Sequence, residues 1–139
     1  MRFMIIVKAN QDSEAGVMPT EKKLAEMAAY HEELAKAGVL LDANGLQATA
    51  KGWRVRYAGG RRQVVDGPFT EAKELIAGYT MIQVKSREEA LEWTRRFPNP
   101  SLEDGDCEIE VRQVFELDDF GTSESVDRFR ELESKPRAS

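Results

Sequence analysis

His31 is the only histidine of the chain, and its type suits proton transfer near neutral pH. Its side chain is expected to point toward a sheet or its margin, because it lies on a helical stripe of apolar residues formed by Leu24, Met27, Ala28, Leu34 and Ala35. Asp42 or Glu32 could orient the imidazole there, as general acid/base chemistry requires. A single histidine on an apolar helix face is also typical of a hydrogen-bonded packing residue, and both interpretations are open.

The run Asp66-Gly67-Pro68-Phe69 is the most distinctive segment of the sequence. Gly67 can adopt a positive φ, Pro68 fixes its own φ, and the Asp66 carboxylate can accept backbone hydrogen bonds, so the run predicts a rigid bend. One interpretation is a plain connection between two strands. The other is the wall of a ligand cleft, in which Phe69 stacks on a small polar or anionic molecule. The ligand-binding residues predicted by this second interpretation are Arg54, Arg56, Asp66, Phe69, Glu71, Lys73 and Glu74.

Other reactive arrangements are missing from the sequence. One cysteine and one histidine, Cys107 and His31, are too few for a zinc site, and residues 103–106 lack the spacing of a calcium loop. Cys107 has no histidine near it in sequence, and no Gly-x-Ser-x-Gly elbow is present. No metal or other cofactor is therefore expected. The first hypothesis is a protein that binds a small molecule in a cleft lined by residues 66–74 and by the sheet face of the first long helix. A general acid/base enzyme that uses His31 in the same cleft is the alternative.

Composition sets the class of protein. The 139 residues carry a net charge of -5, and 41% of them are hydrophobic, which is typical of one globular domain. The negative charge argues against a nucleic-acid partner, because neutralising phosphates needs clustered positive charge. The longest apolar run, residues 3–7, is too short for a signal peptide or a membrane helix, and a single cysteine suits a reducing compartment. A cytoplasmic protein is expected.

Hydrophobic periodicity predicts strands that alternate with helices. The order is that of an α+β, ferredoxin-like β-α-β-β-α-β fold with one inserted β-hairpin. The predicted elements are a strand at 2–8, a polar loop at 10–19, a helix at 20–37 capped by Thr20, a strand from 39 that bends at Asn44-Gly45, a half-exposed hairpin at 53–66, a strand at 75–84, a helix at 86–97 capped by Ser86, a strand at 108–115 and a short charged helix at 123–133.

The two main helices of such a fold cover only one face of its sheet. The other face must be buried by something else, and a second copy of the chain is the simplest candidate. A homodimer is therefore expected. The alternative is that the hairpin and the C-terminal segment fold over this face within one chain.

Several runs of the sequence together resemble the DGPF family of YCII-related proteins. The resemblance spans residues 1–121, identified as one YCII-related/DGPF domain, and leaves 122–139 as a polar, partly helical C-terminal extension. The most specific run is 66–75, and the supporting runs are 32–34, 36–41, 54–56, 84–86 with Glu89-Ala90, 98–100 and 110–112.

The resemblance implies a ferredoxin-like subunit that pairs into a dimeric α+β barrel. Members mostly lack an established activity, and some are encoded beside extracytoplasmic-function sigma factors, so an accessory role in sigma-factor regulation is a further alternative. Related YCII proteins carry a first-helix histidine suspected of acting with an aspartate. That histidine corresponds to Met27, one turn before His31, and Asp42 stands where the family has a small residue. The pair of His31 and Asp42 is therefore a hypothesis about this sequence alone.

Overall fold

A four-stranded antiparallel sheet forms the centre of the fold. The structure is a computed structural model that describes residues 1–71 and 74–136. The strands of the central sheet are β1 (Arg2–Lys8), β2 (Leu40–Gly45), β5 (Ile76–Gln83) and β6 (Ile109–Gln113), in the order β2-β5-β1-β6. Between β2 and β5 the chain forms a separate hairpin of β3 (Trp53–Ala58) and β4 (Arg61–Asp66). This order confirms the predicted α+β, ferredoxin-like fold with an inserted hairpin.

Local capping signals set the starts of the main helices. Within the described residues the α-helices are α1 (Gln11–Glu14), α2 (Glu21–Lys36), α3 (Arg87–Arg95) and α4 (Glu124–Ser134), and short 3-10 helices span Thr49–Lys51 and Leu117–Phe120. The Thr20 and Ser86 hydroxyls each accept a hydrogen bond from the backbone amide three residues later, as the sequence predicts. None of the described helices combines the length and apolar character that a membrane crossing needs.

The hydrophobic core lies between the sheet and the helices α2 and α3. Ile5, Leu34 and Ile82 have no exposed surface, and burial of side chains this large stabilises the fold by about 1.5–3 kcal/mol each. Tyr30 joins the two helices, because its hydroxyl donates a hydrogen bond of 2.8 Å to the Trp93 carbonyl oxygen. Burial raises the pKa of Tyr30 to about 12. The rest of the core consists of Phe3, Val39, Val84 and Ala90.

Two local predictions about the backbone are wrong. Residues 10–19 are not all loop, because Asn10 caps the short helix α1 and shares a capping box with Ser13. Asn44 and Gly45 do not bend the chain, since both continue β2 and pair with β5. Asn, Ser and Gly occur in loops and in caps or strands alike, and only the tertiary pairing distinguishes these uses.

The buried face of α2 also differs from the predicted stripe. Lys23, Tyr30 and Leu34 are its buried residues, whereas Leu24 is exposed. Lysine is rarely buried unless its charge is paired, and Lys23 is paired with acidic groups described below. Apolar periodicity cannot identify a buried face that begins with a charged residue.

The face of the sheet that lies away from α2 carries a second set of side chains. Met4 pairs with Met81 and Ile6 pairs with Tyr79. These pairs alternate along the strands with the pairs that face the core, so their side chains point to the opposite face of the sheet. Ile6 is buried and the other three are half-buried. The homodimer that would cover this face stays a prediction.

The hairpin is not half-exposed as predicted, because every residue of β3 is exposed in the single chain.

Candidate functional site

A cleft of about 740 Å³ lies on the helix side of the sheet, where β1 ends and β5 begins. Its walls come from the segment 10–19, from α2, from the end of β2 with residues 46–51, and from the loop 97–102. Small-molecule sites typically have volumes of about 300–1,000 Å³ and are mostly apolar. The apolar wall includes Val7, Val17, Leu24, Met27, Leu46 and Phe97.

His31 lies in the wall of this cleft, and both of its ring nitrogens are hydrogen-bonded. Nδ1 is 2.7 Å from the Met27 carbonyl oxygen, and Nε2 is 2.8 Å from the Thr80 Oγ1. Because a carbonyl oxygen can only accept, Nδ1 carries the hydrogen, and Nε2 of the neutral ring accepts from the Thr80 hydroxyl. A protonated ring would instead donate from Nε2 to Oγ1. The pair therefore keeps its hydrogen bond in both protonation states.

Neither acidic partner suggested for His31 reaches it. Asp42 lies on the opposite face of the sheet, where its carboxylate accepts from the Tyr79 hydroxyl at 2.9 Å and from the Asn44 side-chain amide at 3.2 Å. The register is the reason, because β2 shifts beyond Leu40 and places Asp42 beside Met81 instead of Thr80. The hypothesis of a His31–Asp42 pair is therefore wrong.

Glu32 is exposed on α2, one residue away from His31 and hence on another side of the helix. Thr80, which is 2% exposed, is the partner that the sequence did not identify. The sequence feature that could have identified Thr80 is its polar side chain on the buried face of a strand, between Gly78 and Ile82.

The Asp66–Phe69 turn stands behind one wall of the cleft. The Gly67 amide donates to the Gly52 carbonyl oxygen at 3.0 Å, and the Phe69 amide donates to Thr49 Oγ1 at 3.0 Å. These two hydrogen bonds therefore hold residues 49–52 against the turn. The adjoining cleft wall consists of Leu46, Gln47, Ala48 and Lys51.

Thr49 also connects this wall to the other side of the cleft. Its amide and hydroxyl both donate to the Glu14 carboxylate on α1, with the amide bond at 3.1 Å. Because Thr49 Oγ1 accepts from Phe69 while it donates to Glu14, one side chain joins three segments of the chain. We call Glu14, Thr49 and Phe69 the Thr49 junction.

Close contact explains the glycine of the turn. A Cβ on Gly67 would stand 1.8 Å from the Thr49 carbonyl oxygen, far below any real contact distance. The φ of Gly67 is not positive, so the turn does not use the left-handed conformation that glycine permits. The Gly67-Pro68 peptide bond is cis.

Three of the predicted ligand-binding residues contact each other beside the turn. The Arg54 guanidinium lies 3.7 Å from the centre of the Phe69 ring and 3.9 Å from the Glu71 carboxylate. One face of the Phe69 ring is therefore already occupied by a cation. The cluster is self-contained, and none of its three members is among the described residues of the cleft wall.

The remaining predicted ligand-binding residues also stand apart from the described cleft wall. Arg56 is exposed on β3, Asp66 ends β4 opposite Trp53, and Glu74 is exposed. Lys73 lies outside the described residues. The expectation that the turn itself lines the cleft is therefore not met, because its hydrogen bonds hold it one layer behind the wall.

Buried Lys23 joins α2 to the loop that forms the far wall. Its ammonium donates to the Asp104 carboxylate, to the Glu26 carboxylate at 3.2 Å and to the Asn99 carbonyl oxygen at 2.9 Å. The hydrogen bond from Lys23 lowers the pKa of Asp104, and the same bond raises the pKa of Lys23. This ion pair holds the loop that brings Pro100 into the cleft wall.

Among the residues that the structure describes, no set of three or more His, Cys, Asp or Glu side chains is arranged to hold a metal ion.

Comparison with known proteins places the chain in a family. It is 30% identical to the uncharacterized protein R00369 of Rhizobium meliloti (strain 1021) over 89 residues, which is 64% of this chain and 72% of that protein. It is similar, at 16% identity and a TM-score of 0.46, to 5-chloro-2-hydroxyhydroquinone dehydrochlorinase from Burkholderia phenoliruptrix AC1100 in complex with 2,5-dihydroxybenzoquinone, covering 83% of this chain and 94% of that one. The sequence model of the YCII-related domain matches residues 1–118. The chain belongs to the YCII-related family, while membership of its DGPF branch stays a prediction.

Proposed function

We propose that this YCII-related protein binds a small molecule in the cleft between α2 and the sheet. The observation that carries the proposal is the pair of His31 and Thr80 in the wall of a largely apolar cleft of about 740 Å³. A cavity of this size with a few convergent polar groups is typical of ligand sites. The proposal moves the site from the Asp66–Phe69 turn to the space in front of the wall that the turn supports.

The lining of the cleft favours a largely apolar ligand with one hydrogen-bonding group. Thr80 Oγ1 has two lone pairs, and its hydrogen is directed to His31, so it can accept a hydrogen bond from a ligand hydroxyl or amine. Lys51 is exposed at the margin, where it could pair with an anionic group at the outer end of the ligand. Lys23 is already paired with Asp104 and is not available for this role.

A screen of metabolites by thermal shift, followed by titration of each hit, tests the proposal. A ligand of the folded state raises the melting temperature by mass action. Thr80→Val removes the hydroxyl and keeps the shape of the side chain, and loss of one hydrogen bond of about 1 kcal/mol is expected to weaken binding by about fivefold. Thr122→Val, at an exposed position, is the matched control.

The alternative site at the turn makes the opposite prediction. Phe69→Ala would abolish binding there, whereas a ligand in the cleft is expected to bind this variant within about twofold of the wild type. A site in the cleft would be refuted if ligands lost affinity in Phe69→Ala but bound variants at Thr80 and His31 as tightly as the wild type.

A second candidate function is general acid/base catalysis in the same cleft, favoured by the 2.8 Å contact of His31 Nε2 with Thr80 Oγ1. A proton from a bound ligand could pass to Oγ1 while the Thr80 proton passes to Nε2, so that His31 gains one proton and the ligand loses one. His31→Gln would remove the group that takes up the proton, and the pH dependence of turnover would therefore change. Turnover with an unchanged pH profile in this variant would exclude the mechanism.

We also propose a homodimer that covers the outer face of the sheet, supported by the apolar pairs Met4–Met81 and Ile6–Tyr79. Met81→Arg is expected to shift the protein to monomers in light scattering coupled to gel filtration, because it would bury a charge without a partner. A dimer that is unaffected by Met81→Arg would contradict this arrangement. The cytoplasmic location and the link to extracytoplasmic-function sigma factors stay predictions.

A further inference from the structure

The sheet that forms the floor of the cleft carries very small residues. Thr80 pairs with Ala43 of β2, and two residues away along β5 Gly78 pairs with Gly45. Paired residues and residues two positions apart lie on the same face of a sheet, so all four face α2, where His31 contacts Thr80. A Cβ on Gly45 would meet no atom within 4 Å. The space that larger strand side chains would fill is therefore open beneath α2.

The open floor makes the cleft long and narrow, parallel to α2. Leu24 and His31 both line it, and they are seven residues apart, which is about 10 Å along a helix. The pair of His31 and Thr80 closes the inner end, because Leu34 and Ile82, the next residues toward the core, have no exposed surface. The cleft therefore has one polar end and an apolar length of about 10 Å.

The outer end of the cleft is surrounded by exposed apolar side chains. Their exposed fractions are 49%, 78%, 51% and 49%, and the residues are Val17, Met18, Leu24 and Leu46. We call these four side chains the rim. Apolar side chains that gather at an opening while exposed to water are typical of a binding groove. Methionine in particular adapts its shape to what it contacts.

The wall offers little flat surface for a planar ring. Among the described residues that line the cleft, Phe97 and Tyr79 carry phenyl rings. The Phe97 ring already packs edge-on against Tyr30 and His31. The Tyr79 hydroxyl is directed to Asp42 on the opposite face of the sheet. An aliphatic ligand therefore suits this wall better than a planar aromatic one.

We propose that the cleft takes an unbranched aliphatic molecule of about eight carbons with a hydroxyl or amine at one end, since such a chain, with bonds of about 1.5 Å, is about 9 Å long. The head group donates to Thr80 Oγ1, the chain lies over Gly78 and Gly45, and its far end emerges at the rim. The bare floor is what sets the length. This proposal rests on the proposed site in the cleft and names the class of its ligand.

Isothermal titration with 1-alkanols from butanol to decanol tests the length. Each buried methylene group is expected to raise the affinity about fourfold, up to about octanol. Further carbons leave the cleft, so the gain per carbon should fall below about twofold. A series that is flat, or one that keeps its full gain through decanol, would overturn the proposed length.

The position of the head group is tested by comparing two ligands of similar shape. Octanol can donate a hydrogen bond to Thr80, whereas 1-fluorooctane cannot. Thr80→Val is expected to weaken octanol about fivefold and to leave 1-fluorooctane within about twofold. Equal losses for the two ligands would place the hydroxyl elsewhere and overturn the proposed orientation.

Gly45→Leu places a side chain on the open floor and tests its role. Octanol is expected to bind at least about tenfold more weakly, because several methylene groups lose their place, whereas butanol, which stays beside Thr80, should bind within about twofold of the wild type. Ala29→Leu, on an exposed side of α2, adds the same side chain outside the cleft wall and is the matched control. Equal losses for butanol and octanol in Gly45→Leu would show that the floor does not set the length.

The metabolite screen distinguishes failure of this proposal from failure of the site. Ligands of another chemical class that bind through Thr80, in a protein that binds no alkanol, would overturn the aliphatic ligand and leave the site in the cleft. A protein that binds neither alkanols nor any compound of the screen would overturn both. The chain-length series uses the wild type, so it decides the class of ligand even if Gly45→Leu does not fold.

Discussion

The cleft and the Asp66–Phe69 turn differ in how readily each can be recognised from the sequence and in what each contributes to the candidate site. The turn is the most recognisable run in the chain, yet its backbone amides donate hydrogen bonds that hold residues 49–52 in place. The cleft has no sequence motif, and its polar pair joins residues 49 positions apart, His31 and Thr80. A conspicuous motif can therefore mark a tight backbone constraint, while the chemistry of a site comes from side chains that only the fold brings together.

The two regions are coupled through the Thr49 junction. The turn holds Thr49 from behind, α1 holds it through Glu14, and the adjoining residues form the wall of the cleft. The functional contribution of the turn in this account is indirect, because it fixes a wall that other residues present to a ligand.

Gly67→Ala is expected to have the largest effect on the free energy of unfolding, about 3 kcal/mol or more, because its Cβ would collide with backbone atoms of Thr49. Denaturation in urea measures it. Gly45→Ala is the matched control, since a Cβ there meets nothing within 4 Å, and it should cost less than about 1 kcal/mol. Equal losses in the two variants would show that the close approach at Gly67 is not what constrains the turn.

Thr49→Val is expected to cost about 1–3 kcal/mol, because the Phe69 amide and the Glu14 carboxylate both lose a partner. Amide hydrogen exchange should become faster in residues 46–52 in particular, and ligand affinity in the cleft should fall with it. If the unfolding free energy falls while exchange in this segment stays slow, the junction does not position the wall.

Phe69→Ala separates the two regions directly. It removes the ring on which Arg54 stacks, so we expect a stability loss of about 1–2 kcal/mol from lost packing and the cation–π contact. Ligand affinity should change much less than in Thr80→Val, because the ring is not part of the described cleft wall. Isothermal titration of one ligand against both variants gives the comparison. The reverse order of affinities would move the binding site to the turn.

The ion pair of Lys23 and Asp104 predicts the smallest effect, a dependence of stability on pH. The folded-state pKa of Asp104 is lowered, so its contribution is complete above the unfolded value of about 3.9 and is lost as the pH falls through the lower folded value. The raised pKa of Lys23 keeps its contribution intact below about 10.4. Urea denaturation of the wild type and Asp104→Asn should give a stability difference that is constant at neutral pH and closes under acid. A difference that persists in acid would show that the carboxylate charge is not its source.

Local signals were enough to predict the order of the elements and the starts of α2 and α3. Thr20 and Ser86 cap their helices through residues only three positions away, and the strands of the central sheet carry apolar patterns that need no tertiary information. Their ferredoxin-like arrangement follows from the order of the elements, because few topologies accommodate it.

The site could not be predicted in the same way, because its contacts join distant parts of the chain. Lys23 is buried by groups that lie 76 and 81 positions away, so no local pattern could place it inside. The register shift between Leu40 and Asp42 decides that Asp42 faces away from His31. At Gly67 the residue type was interpreted correctly as a constraint, but the cause is the approach of Thr49 from another segment.

The most direct test of a site in the cleft is the nitrogen resonances of the His31 ring, which are unambiguous because the chain has one histidine. In the free protein they should report the tautomer with hydrogen on Nδ1. Addition of a ligand found by thermal shift is expected to move the Nε2 resonance while the Nε resonance of Arg54, which lies against Phe69, stays in place. A ligand that moves the Arg54 resonance and leaves the His31 ring unchanged would contradict the account.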